Sequence, residues 1–262
     1  MTPLVRYTNS LQFQRPVEHG VTRLAELPNH RIDPALTVAH RDSAHLDESY
    51  RRAAERFFNG KTGEGARIFV TSAQQGDGKT CTATNLASSL ARSGRRVLLA
   101  ELNFSQPRLL SALGNLRMRY GLETALRQWV QPAEAIFYLA STGLHIAPVR
   151  DPIPPDRLPP LIERLQAFFA WAGDRFDVVV LDCPSVLTAE WKGWLGSLVD
   201  SALLVVREEQ TPLVEVRRAV RLLGGTLKGV LLNGHREGGL REPASAPKAR
   251  FAAPAFAKFQ AR

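Results

Sequence analysis

Val70-Thr71-Ser72-Ala73-Gln74-Gln75-Gly76-Asp77-Gly78-Lys79-Thr80 is the stretch on which the reading of this chain turns. Ahead of it, the apolar run Ile68–Ser72 has the length and character of a strand. Behind it, Thr80–Arg92 carries Ala83, Leu86, Ala87, Leu90 and Ala91 as one helical stripe, and Gly94 stands where a helix C-cap belongs. A strand that turns through glycines into the start of a helix makes an anion site. The glycines let the backbone wrap close, successive N–H groups converge on the anion, and the helix end adds its partial positive charge. Gly76, Asp77, Gly78, Lys79, Thr80 and Cys81 are therefore the expected phosphate contacts, with Lys79 on the β/γ oxygens of ATP and the Thr80 hydroxyl on Mg2+. Ala73 stands where the GxxxxGK[ST] consensus has its first glycine. An alanine there demands an ordinary backbone conformation but removes no donor.

Outward from this loop, strands and helices alternate. Strands are expected at Ile68–Ser72, Arg96–Glu101, Leu144–Pro148, Asp177–Asp182, Ser201–Val206 and Lys228–Asn233. Helices are expected around Leu46–Phe58, Thr80–Arg92, Gly121–Trp129, Leu158–Ala172, Trp191–Ser197 and Leu213–Leu223. That order predicts an α/β fold, a P-loop NTPase with a mostly parallel sheet covered by helices on both faces. Residues 1–45 alternate Pro, Arg, His and Asn without a period and read as a flexible arm, 46–235 as the ATP-binding domain, and 236–262 as a basic, disordered tail. His30, His40 and His45 read as solvated loop histidines, lacking the Cys or close His partner of a metal site.

Phosphoryl transfer needs carboxylates that hold Mg2+ and accept the nucleophile's proton, and strand ends supply them. Phe176-Asp177-Val178-Val179-Val180-Leu181-Asp182 is an apolar strand ending in Asp, a Walker B pattern, so Asp182 is the expected metal carboxylate. Glu101 ends the Arg96–Glu101 strand and is the second candidate for the metal and for catalysis, beside Lys79 and Asp182. Cys81 and Cys183 each follow a site residue and read as inert thiols rather than a redox pair.

The chain resembles the cytoplasmic domain of bacterial tyrosine kinases, the BY-kinases of CpsD/CapB type within the MinD/ParA-related P-loop ATPases. The likeness lies in Asp33-Pro34…Glu48-Ser49-Tyr50-Arg51-Arg52, the phosphate loop, Val97–Leu109, Val178–Val186, Val205-Val206-Arg207 and Gly229–Asn233. It implies that Asn233 reads the adenine edge, that Arg207 lies along the base, and that the protein regulates exopolysaccharide or capsule synthesis or export. It also implies a membrane-protein adaptor as partner, a homo-oligomer, and a cytoplasmic location at the inner membrane through that partner.

Gln74 stands where positioning ATPases carry a signature Lys, which favours the kinase branch over a ParA/MinD-like positioning ATPase. Other departures concern activity. The family's Asp-x-Asp, basic pair and Pro are here Glu101-Leu102-Asn103 and Ser105-Gln106-Pro107. The ring-helix pattern ExxRxxR is Glu48, Arg51, Ala54, and the tail has no tyrosine, the four being Tyr7, Tyr50, Tyr120 and Tyr138. The expectation is an ATP-binding relative with weak or absent tyrosine autophosphorylation. An active kinase that uses Glu101 is the enzymatic alternative.

Composition excludes other classes. At 262 residues, 44% hydrophobic and 23% charged, the chain reads as a soluble globular protein. Its longest apolar runs are too short to span a bilayer, and no apolar h-region follows the first residues. Two cysteines fit a reducing compartment rather than a disulfide framework. The net charge of +9 is scattered and comes with no nucleic-acid module, so nucleic acid is not the expected partner.

Overall fold

The computed structural model describes residues 22–24, 36, 44–58, 65–188, 195–199, 201–235 and 248–252. Its strands are β1 (Thr22–Leu24), β2 (Ala66–Ser72), β3 (Val97–Glu101), β4 (Phe137–Leu139), β5 (Leu144–Ala147), β6 (Val178–Asp182), β7 (Ala202–Arg207), β8 (Leu227–His235) and β9 (Lys248–Ala252). Its α-helices are α1 (Ala44–Phe58), α2 (Lys79–Arg92), α3 (Leu109–Ala112), α4 (Leu122–Leu126), α5 (Ile162–Gly173) and α6 (Leu213–Leu223). The strands form one sheet in the order β1-β4-β5-β3-β6-β2-β7-β8-β9. The run from β5 to β8 is parallel throughout, while β4–β5 and β8–β9 are antiparallel. The expected α/β architecture is the one observed.

The parity of each central strand shows why it is buried on both sides. Phe69, Leu98, Ala100, Val179, Leu181 and Leu204 enter the core layer that also contains α4, α5 and α6 residues, among them Leu122, Phe168 and Ala219. Their neighbours Ile68, Val70, Val97, Leu99, Val178, Val180 and Leu203 enter the opposite layer, with Tyr50 and Phe57 of α1 and Leu86 and Leu90 of α2. A strand apolar at every position satisfies two layers at once, which is the signature of a covered parallel sheet. The α2 stripe is buried as expected, and Gly94 closes that helix at φ 90° with its N–H donating to Ala91 O at 3.0 Å.

Three helices differ from the sequence reading. The segment expected as Gly121–Trp129 is α-helical only over Leu122–Leu126, because Gln128 takes a left-handed φ of 60° and the Trp129 N–H turns back to Thr124 O. Trp129 is thereby carried to the surface, 70% exposed. The helix expected from Leu158 begins at Ile162, preceded by 3-10 turns at Pro155–Arg157 and Pro159–Leu161, since the prolines offer no N–H to an α-helical ladder. Of Trp191–Ser197, residues 191–194 lie outside the described residues, and Leu195–Leu198 is a 3-10 turn.

The arm (1–45) and tail (236–262) fall largely outside the described residues, as do His30 and His40. The parts that are described belong to the sheet or its core. β1 pairs with β4, β9 pairs with β8, and Leu36 is fully buried in the α1/α2 layer.

Candidate functional site

The carboxyl ends of β3, β6, β2, β7 and β8 converge, and the site is built there. β2 delivers the chain to Ser72, the turn 73–78 follows, and α2 starts at Lys79. Ala73 does not take a positive φ, as expected, whereas Gly76 and Gly78 sit at φ 92° and 93°. The loop is held from within and from outside. The Ser72 hydroxyl donates to Gln74 O at 2.5 Å, and Gln74 N–H donates to Asp77 Oδ2 at 3.0 Å. Asp77 is 3% exposed, and its Oδ1 accepts from the Thr211 hydroxyl at 2.8 Å. Its carboxylate thus faces the protein, which leaves backbone amides to meet an anion.

Arg207 and Asn233 are paired across β7 and β8 and both reach this loop. Asn233 Nδ2 donates to Asp77 O at 2.9 Å, and Arg207 Nη1 donates to Gly76 O at 3.2 Å. The two residues expected on the base side therefore also brace the phosphate side.

The glycines differ in what a side chain would meet. A Cβ on Gly76 has nothing within 4 Å, whereas on Gly78 it would lie 2.1 Å from Asn233 Nδ2. Gly76→Ala is expected to carry backbone strain alone, about 1–2 kcal/mol. Gly78→Ala adds the loss of the Asn233 bond and is expected to cost about 2–4 kcal/mol. Urea denaturation of both variants checks the order, and equal effects would remove Asn233 from the account.

Lys79 is 8% exposed, and its Nζ donates to Ser185 Oγ at 3.2 Å. Burial lowers its pKa, opposed by the carboxylates of Asp182 and Asp77. Asp182 ends β6 in register with Glu101 of β3 and with Val70 of β2. It is 1% exposed, and neither of its oxygens has a hydrogen bond of ordinary geometry. Burial pushes its pKa up to about 6, against the pull of the Thr80 hydroxyl and the Lys79 ammonium. A buried, orphaned carboxylate beside a helix-N-terminal threonine is the hard-oxygen donor set that suits Mg2+. Thr80 and Asp182 are the residues that fit it.

Glu101 ends β3 as expected but is fully buried and fully engaged. Its Oε1 accepts from Arg108 N at 2.5 Å and Leu109 N at 2.9 Å, and its Oε2 accepts from Val149 N at 3.0 Å. Burial and the Asp182 charge raise its pKa to about 8, while the three amides pull the other way. Glu101 thus caps the start of α3 and pins residue 149. Service as base or metal ligand would have to compete with these three amides for its lone pairs.

The mouth of the site is lined by amides instead. Asn103 Nδ2 donates to Gln106 O at 2.7 Å, and Gln75 Nε2 donates to Gln106 Oε1 at 2.8 Å. Cys81, half-buried in the first turn of α2, lies 3.6 Å from Asn85 Nδ2, and Cys183 is buried with its thiol pKa raised. Ser185 and Thr211 escaped the sequence reading. Only the fold brings Ser185 under Lys79 and Thr211 onto Asp77, and an isolated hydroxyl in a loop carries no pattern to find it by.

No protein-family model matches the chain. The tyrosine-protein kinase YwqD of Bacillus subtilis (strain 168) is 29% identical over 182 residues, 66% of this chain and 76% of that protein. A putative tyrosine-protein kinase in the cps region of Klebsiella pneumoniae is 28% identical over 171 residues, 64% of this chain. The chain spans only 23% of that longer relative. The solved kinase domain of the Escherichia coli tyrosine kinase ETK superposes with a TM-score of 0.68 at 22% identity, covering 86% of this chain and 93% of that one. The structural likeness shows the fold, and the similarity to bacterial tyrosine kinases first read from the motifs is borne out.

Proposed function

We propose that the chain is a Mg·ATP-binding, BY-kinase-like regulator of exopolysaccharide or capsule synthesis or export, with weak or absent tyrosine autophosphorylation. The observation that carries this reading is the contrast between two neighbouring carboxyls. Asp182 is buried with neither oxygen in a hydrogen bond of ordinary geometry and with only the Thr80 hydroxyl and the Lys79 ammonium acting on it, while both Glu101 oxygens accept from backbone amides.

The division of labour follows from these positions. Amides of 76–81 and the α2 N-terminus receive the β-phosphate, Lys79 reaches the β/γ oxygens, and Thr80 and Asp182 hold Mg2+. Arg207 and Asn233 border the base. Bound Mg·ATP supplies an electrophilic phosphoryl group, but a tyrosine must surrender its proton for transfer to proceed. Asn103 cannot accept that proton, and absence of a positioned base typically costs about 10²–10⁴-fold in rate. Tyr50 is withdrawn as an acceptor, being 3% exposed with its hydroxyl within 3.5 Å of Asn85 Nδ2, which leaves half-buried Tyr120 and Tyr138 among the described residues. A polysaccharide-export membrane protein is the proposed partner, bringing the chain to the cytoplasmic face of the inner membrane.

The test is incubation with Mg·[γ-32P]ATP, following phosphate release and transfer to tyrosine in wild type, Lys79→Ala and Asn103→Asp. Wild type is expected to bind ATP yet transfer at background, with Asn103→Asp raising transfer at least about tenfold. Robust Lys79-dependent transfer by wild type would overturn the proposal and make Glu101 the working carboxylate.

A further inference from the structure

Asp77 is an electrostatic liability where it stands. Its carboxylate, two residues before Lys79, lies inside a loop whose amides are to receive a polyphosphate, and like charges at short range repel strongly in a poorly hydrated site. The loop backbone resists its turning outward only weakly. Gly76 and Gly78 flank it at φ 92° and 93°, and glycine restrains the backbone least. One bond from within the loop holds the carboxylate in, from Gln74 N–H to Oδ2 at 3.0 Å. The other comes from outside, from the Thr211 hydroxyl to Oδ1 at 2.8 Å, across 134 residues of sequence. Thr211 is set up to give that bond. Its Oγ1 accepts from Arg207 N–H at 2.9 Å, which directs the hydroxyl proton to Asp77. Its own N–H donates to Arg207 O at 2.9 Å, so two bonds between the same pair of residues close the 207–211 turn. In the middle of that turn Glu209 takes a left-handed φ of 60°, a conformation that a residue other than glycine holds where its surroundings impose it. The bonds from Arg207 Nη1 to Gly76 O and from Asn233 Nδ2 to Asp77 O brace the carbonyls of the loop, not the carboxylate.

We propose that Thr211 is a positioning residue for polyphosphate binding: its hydroxyl keeps the Asp77 carboxylate turned into the fold and so keeps a negative charge out of the phosphate site. It acts through Asp77 and not by contact with the nucleotide. The inference deepens the Mg·ATP reading and rests on it. Thr211→Val removes the hydroxyl at nearly the same side-chain shape. Arg207 is exposed, so water meets the N–H that this sets free. The carboxylate is then held by Gln74 N–H alone and swings between its two glycines toward the phosphates. The resulting penalty grows with the charge of the ligand, a signature that a general loosening of the fold does not give.

The experiment is calorimetric titration of the full chain with ATP and with ADP, each with Mg2+. Thr211→Val is expected to weaken Mg·ATP about tenfold and Mg·ADP about threefold, in keeping with one negative charge fewer on ADP. Thr211→Ser keeps the hydroxyl and should stay within about twofold of wild type for both ligands. In an Asp77→Asn background, which has no charge to release, the same Thr211→Val change should move either constant less than about twofold. Circular dichroism melts establish that each variant folds, and Thr211→Ala makes the same test should Thr211→Val not fold. With wild type binding, equal losses for ATP and ADP, a loss in the serine variant as large as in the valine one, or an undiminished loss in the Asp77→Asn background overturns the proposal. Failure of wild type to bind either nucleotide overturns the Mg·ATP reading, and the proposal with it.

Discussion

Replacing Lys79 by alanine is expected to weaken Mg·ATP binding by about a hundredfold or more, the largest single loss foreseen for this chain. The ammonium is buried to 8% exposure and held out over the loop by Ser185 Oγ. It therefore meets phosphate with little reorganisation, in surroundings where charge-assisted hydrogen bonds are worth about 1.5–3 kcal/mol each. Two such bonds to the β/γ oxygens account for the hundredfold factor. The loss should be specific to nucleotide. The free variant should stay folded, because removing a desolvated ammonium offsets part of what its packing contributed. Titration with a fluorescent ATP analogue measures the effect, and a dissociation constant within threefold of wild type would sink the assignment of Lys79 to phosphate.

Asp182→Asn should separate stability from binding in opposite directions. The carboxyl has a folded pKa of about 6 against an ordinary value of 3.8. A carboxyl raised on folding gives stability that is present at low pH and lost as pH rises from about 4 through 6. At pH 8 the ionised, unpartnered group therefore costs the free protein up to about 3 kcal/mol. Asparagine removes that cost but also removes the Asp182 charge that favours the Lys79 ammonium, so the net gain at pH 8 is expected at about 1–2 kcal/mol. At pH 4 the gain should fall below about 1 kcal/mol, since Asp182 is then neutral in the fold and only partly ionised in the unfolded chain. With Mg·ATP the order reverses. Wild type gains stability in proportion to the logarithm of ligand concentration, and the variant, lacking its metal carboxylate, gains little. Urea titrations at pH 8 and pH 4, with and without Mg·ATP, give all four values. A variant less stable than wild type at pH 8 without ligand would mean that Asp182 is satisfied in the fold rather than reserved for a cation.

The phosphate loop, the two strand-end carboxyls and the parallel sheet were legible from local pattern, because each depends on residues adjacent in sequence. Gly76, Gly78 and Lys79 stand within four positions, and Val178–Leu181 is apolar at every step, so backbone conformation and burial follow directly. The α4 region misled for an equally local reason. Gly121 to Trp129 is compatible with a helix by period, but the turn at Gln128 is closed by hydrogen bonds to Thr124 and Ala125 that composition does not announce.

What side chains do once strands are brought together was a matter for the tertiary structure. Glu101 and Asp182 look alike in sequence, each an acid at the end of an apolar strand. The chain passing at 108–109 and 149 supplies three amides to one and leaves the other bare, so neighbours from elsewhere in the chain divide their chemistry. Asn233 and Thr211 likewise reach Asp77 across separations of 156 and 134 residues. The sequence by itself determined that there is a phosphate-binding loop on a parallel sheet, because short-range backbone geometry and burial period suffice for that. Which carboxyl accepts backbone amides and which does not was decided only by tertiary structure, because hydrogen bonding and desolvation of a buried charge depend on what the rest of the chain packs around it.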